Sequence, residues 1–438
     1  MHRGVLLLIA VSALALMPGG NAAAEADYEL FGTIDLRSAH LIPRSATPAQ
    51  LLSGRAEALL NQRLWLPDGE LFGRSFIVLD ASDATPRHVL QEGYLRLFPQ
   101  PAWELSLGRQ RINWGTGYTY SVTDALHPRS AVLDREVGFD GAALILYPAP
   151  SLTLSAALAL QDAFALQQQP TGAPELPEAL RAALYTSWYS GNLELAASLV
   201  HQYQTILRPG VSASVVAGAV LISAEAALEF ANRLPYPGAD FNEQEAEKLL
   251  YNTSPSQAEL DAAGVSVADF GEPFPLASLA AEYSLIGDDL SATLIGEYLF
   301  NGLGYTQTQW KRVLPLLDRL SAAGEQTSSG FAAQPFGAGF AALGAAGPRD
   351  AAGSVGLPKR HYLFVTLSLG YRDSAGTDHR VLVSLTDGSV LIGHEAVLTT
   401  IERVDLGAEV GWAAGGSKHE FGLLPFYLRS ELYARVHL

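Results

Sequence analysis

Charged residues in this chain fall at alternate positions within short apolar runs, and their sign changes along its length. Arg37, Arg55, Arg63, Arg74, Arg96, Arg109 and Arg111 lie early in the chain, accompanied by Glu29, Asp35, Glu57, Asp80, Glu92 and Glu104. From Glu194 onward the same alternation carries carboxylates with few bases, at Glu194, Glu225, Glu229, Glu282, Glu297, Glu395 and Glu409. A guanidinium fork can hold two carboxylates at once, so arginine suits a charged ladder lining a lumen. A basic wall facing an acidic one across water sets up a transverse field that biases which ions pass. The same charges could equally pair across neighbouring strands and stabilise an interior.

The stretch from Gly108 to Pro128, GRQRINWGTGYTYSVTDALHP, combines basic wall and polar loop. After Gly115 and Gly117 come Tyr118, Thr119, Tyr120, Ser121, Thr123 and Asp124, a run of hydroxyls ending in a carboxylate. Folded into a barrel, such a loop brings polar side chains to the narrowest point; alternatively Thr123-Asp124 only caps a turn. Strict alternation places Arg109 and Arg111 on the face of Leu105 and Leu107, toward lipid, at about 2–4 kcal/mol near the bilayer midplane. The spacing therefore predicts a bulge at Gly108 that turns Arg109, Arg111 and Asn113 inward and leaves Trp114 to an aromatic girdle.

Signatures of soluble catalysis are missing. There is no G-x-S-x-G and no phosphate-binding glycine loop, and no second histidine completes a zinc motif after His394-Glu395. Gly337-Ala338-Gly339 lacks the strand-then-helix context of a nucleotide site. The reading is of a non-enzyme with no cofactor and no metal. A net charge of −17 argues against nucleic acid as a partner.

The elements that must position these residues are strands. Residues 1–24 have a basic start, an apolar run and an Ala-Ala-Ala end, the pattern of a secretory signal cleaved before Glu25. Beyond it no run approaches the about 20 apolar residues of a spanning helix. Cysteine is absent, so an exported chain must be held by its core or by closed strand pairing. Apolar residues make up 48% and charged ones 17%, with mean hydropathy +0.14. That balance fits strands facing lipid, with a soluble β-rich secreted protein as the alternative.

Period-two alternation recurs from Tyr28 to the C-terminus and yields about 18 strands, within a range of about 16 to 18. Leu30, Ile34 and Leu36 oppose Asp35 and Arg37; Val89, Leu95 and Leu97 oppose Glu92, Tyr94 and Arg96. If the first strand runs outward, every even-to-odd connection is short. The long connections, 115–138, 165–182, 232–275 and 301–360, then share the other end, as in outer-membrane barrels. Residues 25–438 read as one domain. Ser256 with Glu259 has capping-box spacing, and Asn242 to Tyr251 is Glu- and Leu-rich. Trp310, Val313, Leu314, Leu317 and Leu320 form a helical stripe kinked or started by Pro315. All four lysines, Lys248, Lys311, Lys359 and Lys418, fall in predicted external loops.

Gly108-Arg109-Gln110-Arg111, Trp114-Gly115-x-Gly117 and Thr123-Asp124-x-x-x-Pro128 together resemble the motif of a family of bacterial outer-membrane barrels with porin-like and alginate-export-like members. Where that family commonly has Asn-Pro-Thr-Asp, this chain has Ser121-Val122-Thr123-Asp124. The resemblance implies an outer-membrane channel of about 18 strands. Leu432, Ala434, Val436 and Leu438 alternate like a barrel-assembly signal, ending in Leu rather than an aromatic residue.

The expectation is thus an all-β transmembrane antiparallel barrel in a bacterial outer membrane. It would pass small polar or charged solutes passively, since no plug domain precedes the first strand. Its lining would include Arg37, Arg55, Arg63, Arg74, Arg96, Arg109, Arg111, Glu92, Glu225, Glu229, Glu282 and Glu297. Gly115, Gly117, Tyr118, Tyr120, Thr123 and Asp124 would form the constriction. Expected partners are outer-membrane lipid, the barrel-assembly machinery and the solutes; the oligomeric state is left open. The competing reading is a surface-exposed structural or adhesin-like barrel blocked by its loops.

Overall fold

The computed structural model describes residues 27–43, 51–80, 83–112, 114–118, 121–123, 129–130, 135–136, 138–160, 180–202, 206–231, 235–249, 256–267, 272–287, 290–314, 360–371, 375–401, 403–415 and 426–437. The signal-like segment 1–24 lies outside them.

Alternation of small or polar with large apolar side chains makes each segment two-faced, and two-faced strands bury one side by closing on themselves. In chain order the barrel strands are β1 (Asp27–Pro43), β2 (Leu51–Leu66), β3 (Gly69–Asp80), β4 (Asp83–Gln100), β5 (Trp103–Gln110) and β6 (Phe139–Ala149). They continue as β7 (Leu152–Leu160), β8 (Leu180–Ser190), β9 (Leu193–Gln202), β10 (Ile206–Ala217), β11 (Val220–Ala231) and β12 (Pro273–Ile286). The last are β13 (Leu290–Asn301), β14 (His361–Tyr371), β15 (Gly376–Ser384), β16 (Ser389–Ile401), β17 (Val404–Ala414) and β18 (Phe426–His437). Each pairs antiparallel with the next, and β18 pairs with β1, closing one 18-stranded sheet. Closure leaves no unpaired edge, the condition for a sheet to stand in lipid. Every run expected from alternation coincides with one of these strands.

At the seam, Asp35 and Arg435 are opposite each other and joined by hydrogen bonds of 2.9 and 3.2 Å. Leu30, Leu36, Leu158, Leu184, Leu279 and Leu432 are exposed on the outer rows. Outward aromatics mark both rims: Tyr28, Trp188 and Tyr283 near the short turns, and Trp412 at the other end. Amphipathic rings at two levels bounding an apolar belt are what a bilayer's two interfaces select.

Two details depart from simple alternation. Arg74 pairs with Glu92 but Ser75 pairs with Leu90, so Gln91 is an extra residue in β4. This bulge flips the upper half of the strand, and Val89 joins Phe76 and Val78 in a buried cluster instead of sharing the outward face of Leu95 and Leu97. No bulge occurs at Gly108. Tyr94 pairs with Gly108 and Gly93 with Arg109 on one side, and Gly141 and Asp140 follow in step on the other. Gly108 has φ +121° and lies so close to β4 that an added Cβ would stand 2.4 Å from the Gly93 carbonyl oxygen. Its role is local backbone shape, without a change of register.

Arg109 consequently lies in the outward row Gly93, Arg109, Asp140, Leu160 and Leu180, contrary to the inward placement expected for it. Its guanidinium is held by the Asp140 carboxylate, Nε to Oδ1 at 2.9 Å, and donates to the Leu90 carbonyl at 3.0 Å. Arg109 is one residue from the end of β5, near the long-loop rim, where an outward arginine costs only about 0–1 kcal/mol. Arg111 follows the last residue of β5 and is half-buried. Asp140→Ala is expected to lower stability by about 1–3 kcal/mol through loss of the carboxylate. Urea titration of the refolded barrel in detergent reads this as a lower midpoint; an unchanged midpoint would mean that the rim solvates Arg109 adequately alone.

Candidate functional site

Beyond Gln110 the chain leaves the wall. The inner row of β6 to β9 is Ala143, Ala157, Ala183 and Val200, side chains small enough to admit a large ring. Trp114 fills that space, packing with Phe139 and Ala159 as well and stacking on Tyr185 at 5.4 Å. The outer girdle expected for Trp114 is therefore replaced by burial against this alanine row.

From Trp114 the segment reaches the inner face of β11. The Glu225 carboxylate accepts from the main-chain N–H groups of Thr116, Gly117 (2.9 Å), Val122 (2.7 Å) and Thr123 (3.4 Å). The Ser121 hydroxyl donates to it at 3.0 Å, and the Ser223 hydroxyl donates to the Thr116 carbonyl at 3.3 Å. Main-chain N–H groups converging on one anion form a nest. Gly115 makes the curl possible: its φ is +105°, and an added Cβ would stand 2.1 Å from Ser121 Oγ and 2.4 Å from the Glu225 carboxylate. Val122 then packs with Ala227, Leu276, Leu299 and Tyr362. Glu225, expected as a charge facing solutes, is instead enclosed by the segment. Asn113, Tyr120 and Asp124 lie outside the described residues.

Tyr118 sits beside Glu282 and Glu297. Burial first, and then the Glu282 carboxylate, raise its phenol pKa above the usual range. Glu282 accepts from the Ser284 hydroxyl at 2.8 Å, and Glu297 is fully buried. Glu229 forms an ion pair with Arg208, and both side chains are buried to within 1%. Arg208 Nε and Nη1 and Glu229 Oε1 have no further partner among the described residues.

Half the ring away, β18 and β1 to β4 carry the bases. Arg74 reaches Glu92 at 3.1 Å and Asn61 at 2.7 Å, while Glu70 takes both Arg63 (3.3 Å) and Arg96 (3.0 Å). Ring faces lie under the guanidiniums, Arg96 over Tyr94 at 4.9 Å and Arg63 over Phe72 at 5.3 Å. About a third of each of the Arg63, Arg74 and Arg96 side chains is exposed. Arg37 bridges Asp35, Glu431 and Glu409 at 3.4, 3.5 and 3.9 Å. Arg55 pairs with Arg37 in register; its side chain lies outside the description.

Glu395 and Glu409, expected on the acidic wall, sit next to β18 instead, with Glu395 accepting from Tyr433 at 3.1 Å. Sequence reasoning passed over Glu70, Arg208, Glu431 and Arg435. All four fall at the right parity for the inner face, which is the signal that could have found them.

Two long-loop regions build local structure at one end of the barrel. Helix α1 (Glu243–Leu249) falls in the Glu- and Leu-rich stretch, and α2 (Gln257–Ala262) opens on the capping box of Ser256 and Glu259, as expected. Residues 307–314 form α3, capped by a reciprocal Thr306–Gln309 pair that alternation did not reveal. Trp310, Val313 and Leu314 are buried together, whereas Leu317 and Leu320 lie outside the described residues.

No protein-family model matches the chain, and no curated protein matches it either. Among solved structures it is similar to Acinetobacter baumannii OccAB1, with 10% identity, 93% of this chain and 96% of that chain covered, and a TM-score of 0.51. It is also similar to Acinetobacter baumannii OccAB4, with 7% identity, 95% and 100% covered, and a TM-score of 0.50. A mutant of Rh. blastica porin covers 94% of this chain and 100% of its own at 10% identity and a TM-score of 0.43. The fold is that of bacterial outer-membrane porins, and the apolar belt and aromatic girdles suit it to the outer membrane. These matches give the alginate-export-like resemblance no counterpart.

Proposed function

We propose that this barrel is an outer-membrane channel for passive diffusion of small polar or charged solutes, its water-filled path narrowed by the segment from Gly115 to Thr123. The observation that carries this reading is the Glu225 carboxylate bonded to four main-chain amides of that segment, which ties a loop from β5 to a strand six places along the chain. Arg63, Arg74 and Arg96 line the opposite side with partly exposed guanidiniums, backed by Glu70 and Glu92 and by ring faces. A solute carrying negative charge meets donors already oriented by their partners. On this reading Tyr118, Glu282 and Glu297 form the acidic side of the narrowing.

The reading is a channel and not an enzyme: its work is selection by size and charge. Planar-bilayer recording under a salt gradient tests it. Discrete conductance steps are expected from the wild type. Arg63→Ala, Arg74→Ala and Arg96→Ala together should shift the reversal potential toward cation preference. An unshifted potential would remove the arginines from the selectivity claim.

The packed loops at the end of β11 to β14 favour one other reading, a barrel closed for structural or adhesive work. Absence of any conductance from correctly folded protein would decide for it.

A further inference from the structure

Leu303, in the loops above the barrel, packs against the apolar cluster that also holds Val122 of the inner segment. Residues 235–249 and 256–267 meet residues 302–314 through two bonds: Tyr236 donates its hydroxyl to the Leu303 carbonyl at 3.2 Å, and Arg312 donates to the Pro237 carbonyl at 3.2 Å. The Tyr236 ring stacks on Phe274 at 5.9 Å and meets Tyr305 edge-on at 6.2 Å. Tyr305 lies against Trp310 of α3. The loops therefore share one small apolar centre of their own, with Tyr236 in it. The Leu303 side chain points the other way in function: it packs on the cluster that holds Val122.

We propose that these loops form a cap that gates the channel, with Leu303 transmitting its position to the Val122 end of the inner segment. This rests on the reading of residues 115–123 as a constriction and adds how that constriction is controlled. With the cap seated, Leu303 is pressed onto the Val122 cluster, and the Glu225 nest keeps its curl. When the cap lifts, Leu303 withdraws and the cluster that holds Val122 loses apolar packing on that side. The segment then relies on the Glu225 nest, the Ser223 bond to Thr116 and Trp114 on the alanine row. Packed elements with two discrete arrangements are the usual carriers of such coupling.

The natural chain has no cysteine, so one introduced thiol reports cleanly. Val122→Cys places it at a buried position of nearly the same volume. The measurement is the rate at which a small water-soluble thiol reagent modifies Val122→Cys in the refolded barrel. It is repeated with Tyr236→Phe, which removes the bond to Leu303 while keeping the ring, and with Arg312→Ala. Tyr236→Phe is expected to raise the rate by roughly fivefold, the weight of one hydrogen bond, and Arg312→Ala to raise it in the same direction. Neither residue touches the Val122 cluster, so a rise in either variant supports the coupling. Unchanged rates in both, with the folded barrel verified by its heat-dependent gel mobility, overturn it. Conductance reads the constriction and labelling reads the coupling, so failure of one is not mistaken for failure of the other.

Discussion

Arg208→Ala alone is expected to destabilise the barrel by about 3–5 kcal/mol, because it strands the Glu229 carboxylate without its partner. Both side chains are buried, and several of their polar atoms already have no other partner among the described residues. Both groups are shielded from solvent, which leaves the carboxylate without ready hydration once the guanidinium is gone. The double variant Arg208→Met with Glu229→Leu removes both charges and keeps apolar volume, so it should recover most of the loss. Urea unfolding in detergent, followed by the folded-band assay on unheated gels, gives the three values needed. Equal destabilisation by the single and double variants would show that the pair's burial is not what sets its energetics.

Glu225→Ala should raise single-channel conductance and make the current noisier. The substitution leaves four main-chain donors facing an empty position, and each lost charge-assisted bond is worth about 1.5–3 kcal/mol. The segment then keeps Trp114 on the alanine row, Val122 in its cluster and the Ser223 bond to the Thr116 carbonyl. Glu225→Gln, which retains an acceptor oxygen but loses the charge, is expected to fall between wild type and Glu225→Ala. Wild-type conductance and noise in Glu225→Ala would show that the segment does not depend on this carboxylate.

The strand ladder was legible because period two needs only neighbours in sequence. Eighteen runs of alternating residues map onto the eighteen barrel strands, including the seam between β1 and β18. What failed depends on residues far along the chain. Trp114 reads as a girdle residue until Ala157 and Ala183 are seen to share the inner row beside it. Glu225 reads as a pore charge because its partners are main-chain N–H groups, which no side-chain pattern announces. The inward turn proposed for Arg109 assumed that lipid exposure had to be avoided by a register change. The chain answers the same cost with Asp140, a residue that alternation alone does not pair with it. The bulge at Gln91 had no glycine to mark it, and it moved Val89 to the opposite face.

The most direct measurement is single-channel conductance in planar bilayers of the wild type against a variant lacking residues 116–134. The account predicts discrete steps from the wild type and clearly larger steps from the deletion, as the narrowing is removed. Equal step sizes from two correctly folded barrels would contradict it, and would place the narrowest point somewhere other than the segment enclosing Glu225.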